Sequence, residues 1–173
     1  MKVLILRLSS LRDTAASSTH RLLADLVLTA APDAVVDFAF LPTKRKPRLS
    51  GLLSGRELSD FDLLLVSNSF IQEAINLPWL LHANGIAPWA SDRPEAFPPV
   101  LFGGSNALAS QCLAQANGQA VPDVFFFGEA EEGLPRFILR WQSSSGSKRH
   151  RLCQASEGLD GFWVTGAIPA LPI

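Results

Sequence analysis

The chain has 173 residues, of which 47% are hydrophobic and 18% charged, with a formal net charge of −1. This suits one ordinary globular domain and excludes a disordered chain. It also offers no overall charge that would draw the protein to nucleic acid or to a membrane.

In chain order, the first apolar run is "VLIL" (3–6), too short for a membrane span and without the cleavage pattern of a secretory signal. "RLSSLRDTAASSTH" follows it, and then Leu22, Leu23, Leu26, Val27 and Ala30 form an apolar stripe at helical spacing. A second strand is predicted at "AVVDFAF" (34–40). The basic stretch 42–60, with Lys44, Arg45, Lys46, Arg48 and Arg56, stands where a crossover helix belongs and reads as a long loop or a short, poorly formed helix. No aromatic residue is interleaved in that basic run, so a solvated loop is the expectation rather than a nucleic-acid contact.

"DLLLVS" (62–67) is the third strand, followed by helical spacing over 70–84 that Pro78 should kink or restart. "PVLFGG" (99–104) is the fourth, with Leu108, Cys112 and Ala116 spaced as a helix after it. "DVFFFG" (123–128) is the fifth, followed by a helical stripe of Leu134, Phe137, Ile138 and Trp141. "QSSSGSKRHR" (142–151) reads as a flexible polar connector, and "GFWVTGAIPALPI" as one more strand with an apolar tail. Strands that are continuously apolar suit a parallel sheet covered on both faces, so the alternation predicts a doubly wound α/β domain. The expected division is an α/β domain over 1–141, with 142–173 leading toward a further domain or a partner.

Ligands of such sheets sit beyond the carboxyl ends of the strands. The candidate binding residues there are Ser67, Asn68, Ser69, Gly103, Gly104, Ser105, Gly128 and Glu129. Small residues and bare backbone N–H groups suit close approach of a ligand, whereas Ser105 or Asn106 as a helix cap, and Ser67 and Ser69 as turn residues, would be purely structural. Glu129, Glu131 and Glu132 either complement a helix N-terminus or accept hydrogen bonds from a ligand. Metal and nucleophile chemistry is not indicated. His20, His82 and His150 lie far apart, and neither Cys112 nor Cys153 has a partner at ligand spacing. Two cysteines are too few for a disulfide framework and suit the reduced thiols of a cytoplasmic protein.

The ordered phrases "FDLLLVSNSF", "PVLFGGSN" and "DVFFFGEAEE" resemble the N-terminal cobalamin-binding-like domain of radical S-adenosylmethionine proteins, clearly over about 57–138. The resemblance implies a flavodoxin-like (Rossmann-like) three-layer α/β/α fold, with five main strands in order 2-1-3-4-5. It also implies a corrin over the strand ends, with the Gly103-Gly104 pair admitting it close to the backbone. The family's Asp-x-His-x-x-Gly cobalt-ligating motif is missing, since Asp13 is followed by Thr-Ala-Ala-Ser and His20 stands at another spacing. Cobalamin would therefore bind without a protein histidine or not at all. The three-cysteine motif of a [4Fe–4S] cluster is absent too, so cluster and S-adenosylmethionine are expected only in a radical core domain or subunit. The competing expectations are a non-binding scaffold that docks such a core, and a stand-alone small-molecule enzyme.

Overall fold

The structure, a computed structural model, describes residues 1–14, 17–42 and 48–166. Lys44, Arg45 and Lys46 of the basic stretch, and the tail "AIPALPI", lie outside the described residues.

Among the described residues six strands form one sheet: β1 (Lys2–Arg7), β2 (Val35–Phe40), β3 (Leu63–Ser67), β4 (Val100–Gly103), β5 (Val124–Phe126) and β6 (Phe162–Val164). Their spatial order is β2-β1-β3-β4-β5-β6, and β6 alone among these runs antiparallel to its neighbour. The expected order 2-1-3-4-5 is corrected to one of six strands: the further strand read at "GFWVTG" is β6, which runs antiparallel along the β5 edge. It is held there by aromatic packing, with Phe125 stacked on Trp163 and Phe126 against Phe162.

Alternate residues of each strand face opposite layers, which is why the runs are apolar throughout. Leu4, Leu6, Leu64, Val66, Phe102 and Phe125 face one side, where helix α3 (Asn76–Ala83) contributes Leu77, Leu80 and Leu81. Val3, Ile5, Leu65, Leu101 and Phe126 face the other side. There they meet α2 (Thr19–Ala30), α4 (Ala130–Ser143) and α5 (Lys148–Ser156); a single turn, α1 (Leu11–Thr14), precedes α2.

Pro78 falls in the first turn of α3, after a 3-10 turn at Ile71–Ile75, so the helix restarts there. The stripe Leu108, Cys112, Ala116 does not make an α-helix. The chain forms a six-residue 3-10 segment, Leu108–Leu113, with non-helical backbone at Ser110, and both Leu108 and Cys112 are exposed. The cause is Ser110, fully buried, whose hydroxyl donates to the Asn106 carbonyl and accepts from Asn68 Nδ2. The connector over 142–151 is also corrected: α4 runs to Ser143, and α5 starts at Lys148, capped by Ser147 Oγ, which accepts from His150 N.

Over 48–62 the link from β2 to β3 carries a 3-10 turn at Leu58–Asp60 and an isolated antiparallel bridge between Ser50 and Glu57. Buried Asp37, within β2, organises the neighbouring turn: its carboxylate accepts from Leu53 N, Ser54 N, Ser54 Oγ and Phe38 N. Burial works to raise the Asp37 pKa, but the Ser54 hydroxyl and the backbone N–H groups together outweigh it and hold the carboxyl below its ordinary value. A depressed folded-state pKa contributes stability that is complete above the unfolded value of about 4 and is lost as pH falls through the folded value. Acid denaturation of Asp37→Asn should therefore be flatter than that of the wild type below about pH 4, with lower stability at neutral pH. Chemical denaturation midpoints across pH 2–7 read this directly; parallel curves for the two proteins would contradict it.

Candidate functional site

A cleft of about 510 Å³ opens over the carboxyl ends of β3, β4 and β5, between α2 and the start of α4. Its apolar wall includes Leu22, Leu23, Leu65, Leu101, Phe126 and Leu134. Ser67, Gly103, Gly104, Ser105, Gly128 and Glu129, all singled out from the sequence, line it. Asn68 and Ser69 do not. Asn68 is fully buried and turns its amide to Ser110 Oγ at 3.0 Å, leaving its own Oδ1 buried without a partner. Ser69 is half-buried and accepts from Arg7.

The two glycines have different reasons. Gly104 has φ +119°, and a Cβ there would lie 2.2 Å from the Asn68 carbonyl oxygen. The residue is needed so that the loops after β3 and β4 can touch backbone to backbone, which Asn68 N donating to Gly103 O (2.9 Å) also secures. Gly103 is ordinary extended strand, and a Cβ there would meet Phe126 at 3.4 Å. Asn106 is no helix cap: its Nδ2 donates to the Ser69 carbonyl and ties the same two loops together.

Sequence reasoning missed Arg7, the last residue of β1 and 2% exposed. Its Nη1 donates to Ser67 Oγ (2.7 Å) and its Nη2 to Ser69 Oγ (2.6 Å). Burial lowers its pKa and the Glu73 carboxylate opposes that, but a guanidinium stays protonated at physiological pH. The available signal was a cation closing an otherwise apolar strand, "KVLILR".

His20 does not reach the cleft wall. Its ring sits edge-on to Phe38 and Phe40, each 5.8 Å away. Burial first, then the cations of Arg21 and Arg7, lower its pKa, so the ring is neutral at pH 7. Glu129 precedes α4, and Glu131 and Glu132 lie in its first turn, exposed and favourably placed for the helix dipole. Among the described residues no group of three His, Cys, Asp or Glu side chains could hold a metal ion. None of the described helices is long and apolar enough to cross a membrane.

Asp123 belongs to the opposite end of the sheet. Its carboxylate pairs with buried Arg93 at 2.7 Å, accepts from Val100 N at 2.8 Å, and has Lys148 Nζ 3.6 Å away. The aspartate of "DVFFFGE" is thus a clamp joining β4, β5 and α5.

The fold and the cleft together define a mostly parallel α/β domain, covered on both faces, with a ligand-sized opening at its strand ends. Residues 20–165 match the model of the family "Radical SAM proteins, N-terminal", and the chain belongs to that family. No curated protein and no solved structure matches it.

Proposed function

We propose that this chain is the N-terminal accessory module of a radical S-adenosylmethionine protein, and that its strand-end cleft holds a small ligand. Bond-breaking chemistry then belongs to a radical core that carries the iron–sulfur cluster and S-adenosylmethionine. The observation that carries the reading is the cleft itself, at the sheet end where doubly wound folds take their ligands. Its lining offers hydroxyls, bare backbone and exposed carboxylates, a set that can grip a ligand; no nucleophile–base pair is assembled there among the described residues. The parallel strands follow the order 2-1-3-4-5, which favours a flavodoxin-like sheet extended by β6. Two exposed free cysteines suit a cytoplasmic setting.

Histidine-ligated cobalamin does not fit this site. His20 is wedged between aromatic rings, and no histidine is among the cleft residues. A cleft of about 510 Å³ also matches a drug-sized molecule rather than a whole corrin with its tail, which would have to rest on the rim. A second reading, docking of the radical core, is favoured by the exposed Phe70, Ile71, Ile75 and Leu108, carried on or beside two segments, Ile71–Ile75 and Leu108–Leu113, that pack against each other. The two readings are compatible if the core covers the rim.

The test of ligand binding is fluorescence titration with the neutral apolar dye N-phenyl-1-naphthylamine. Saturable one-to-one binding is expected, weakened at least about tenfold in Gly103→Val, whose added methyls stand against the Phe126 wall. Binding unchanged in Gly103→Val would remove the ligand role and leave docking.

A further inference from the structure

The sheet changes direction between β1 and β3: β2 lies on one side of β1, and β3, β4 and β5 follow on the other. Arg7 and Ser67 are register partners on the last rung of those two strands, so they sit together at the switch point. Ser67 lines the cleft, and the Arg7 guanidinium lies behind it, hydrogen-bonded to Ser67 Oγ and Ser69 Oγ.

Arg7 makes no ion pair among the described residues. Its hydrogen-bond acceptors are neutral hydroxyls, and its Nε is buried without a partner. Glu73 acts on it through space, and one oxygen of that carboxylate faces the N–H groups of Ser69 and Phe70, at 3.4 Å each. A cation this buried ordinarily carries a hydrogen-bonded anion. Each serine hydroxyl that accepts from the guanidinium still has its own proton to donate; none of the hydrogen bonds among the described residues uses that of Ser67, and Ser67 lines the cleft.

We infer that the cleft is selective for a small, otherwise apolar molecule bearing one oxyanion (a carboxylate, phosphate or sulfonate), seated with the anion on the Ser67 hydroxyl above Arg7 and the apolar body along Leu65, Leu101 and Phe126. This deepens the proposed function and rests on its cleft. Glu129 and Glu131 line the far side, beyond β5, two strands or about 10 Å from Ser67. They orient the ligand by repelling its anion from that end.

The test compares two dyes of similar apolar body on the whole chain: 8-anilinonaphthalene-1-sulfonate, which carries an anion, and neutral N-phenyl-1-naphthylamine. The sulfonate should bind one-to-one and at least about tenfold more tightly, and millimolar inorganic phosphate should displace it while leaving the neutral dye bound. Ser67→Ala should cut the sulfonate's advantage several-fold without affecting the neutral dye, and Arg7→Met should abolish it. If Arg7→Met fails to fold, Ser67→Ala and the phosphate competition still decide. Equal affinity for the two dyes, or an advantage that survives both Ser67→Ala and phosphate, would overturn the anion assignment while leaving a ligand cleft. Binding of neither dye would overturn the cleft reading and the anion assignment with it.

Discussion

Gly104→Ala is expected to destabilise the protein by about 3–5 kcal/mol, whereas Gly103→Ala next to it should cost about 1 kcal/mol or less. The contrast follows from geometry. Gly104 combines φ +119° with the Asn68 carbonyl 2.2 Å from where a Cβ would stand, so backbone has to move against backbone. At Gly103 the nearest atoms are 3.4 Å or more away, in ordinary contact, and the backbone is plain strand. Urea denaturation of the three proteins measures both differences. Similar losses at the two positions would show that the loops after β3 and β4 are not packed as described.

The second large effect lies at the other end of the sheet. Asp123→Ala should cost about 3–5 kcal/mol, because it strands a buried guanidinium. The Arg93 side chain is 0% exposed and that of Asp123 5%, and the Val100 N–H loses its acceptor in the same step. The partner variant Arg93→Met leaves the carboxylate with Lys148 3.6 Å away and should be milder. A double-mutant cycle between the two positions should give a coupling of at least about 1 kcal/mol; additive losses would contradict the clamp.

The central strands were legible because they are covered on both faces and so carry unbroken apolar runs. Leu134, Phe137, Ile138 and Trp141 likewise announced α4, since all four are buried. Helix α5 was not legible: only Leu152 and Ala155 of its nine residues are buried, so its sequence reads as a polar linker. The segment after β4 misled for the opposite reason. Leu108 and Cys112 are spaced as a helix face, yet the element is shaped by one buried hydroxyl, Ser110, whose partner Asn68 lies 42 residues away in sequence. Long-range polar contacts of this kind leave no periodic trace. They also hid Arg7, because a cation at a strand end looks like a solvated terminus until the fold brings Ser67 against it. Strand-end geometry and the family resemblance picked out six residues that line the cleft, but the resemblance gave the glycine pair a ligand as its reason where Gly104 has Asn68.

The proposed ligand site lies over the carboxyl ends of the sheet at the switch point. The most direct measurement is an amide nitrogen–proton correlation spectrum of the uniformly labelled chain, titrated with 8-anilinonaphthalene-1-sulfonate. Saturable shifts are expected at the residues lining the cleft, among them Leu65, Ser67, Leu101, Gly103 to Ser105 and Phe126 to Ala130, with a single binding constant for all of them. Shifts gathered instead around Asp62, Glu95 and Arg151, which line the cleft at the opposite end of the sheet, or spread over the whole chain without saturation, would contradict it.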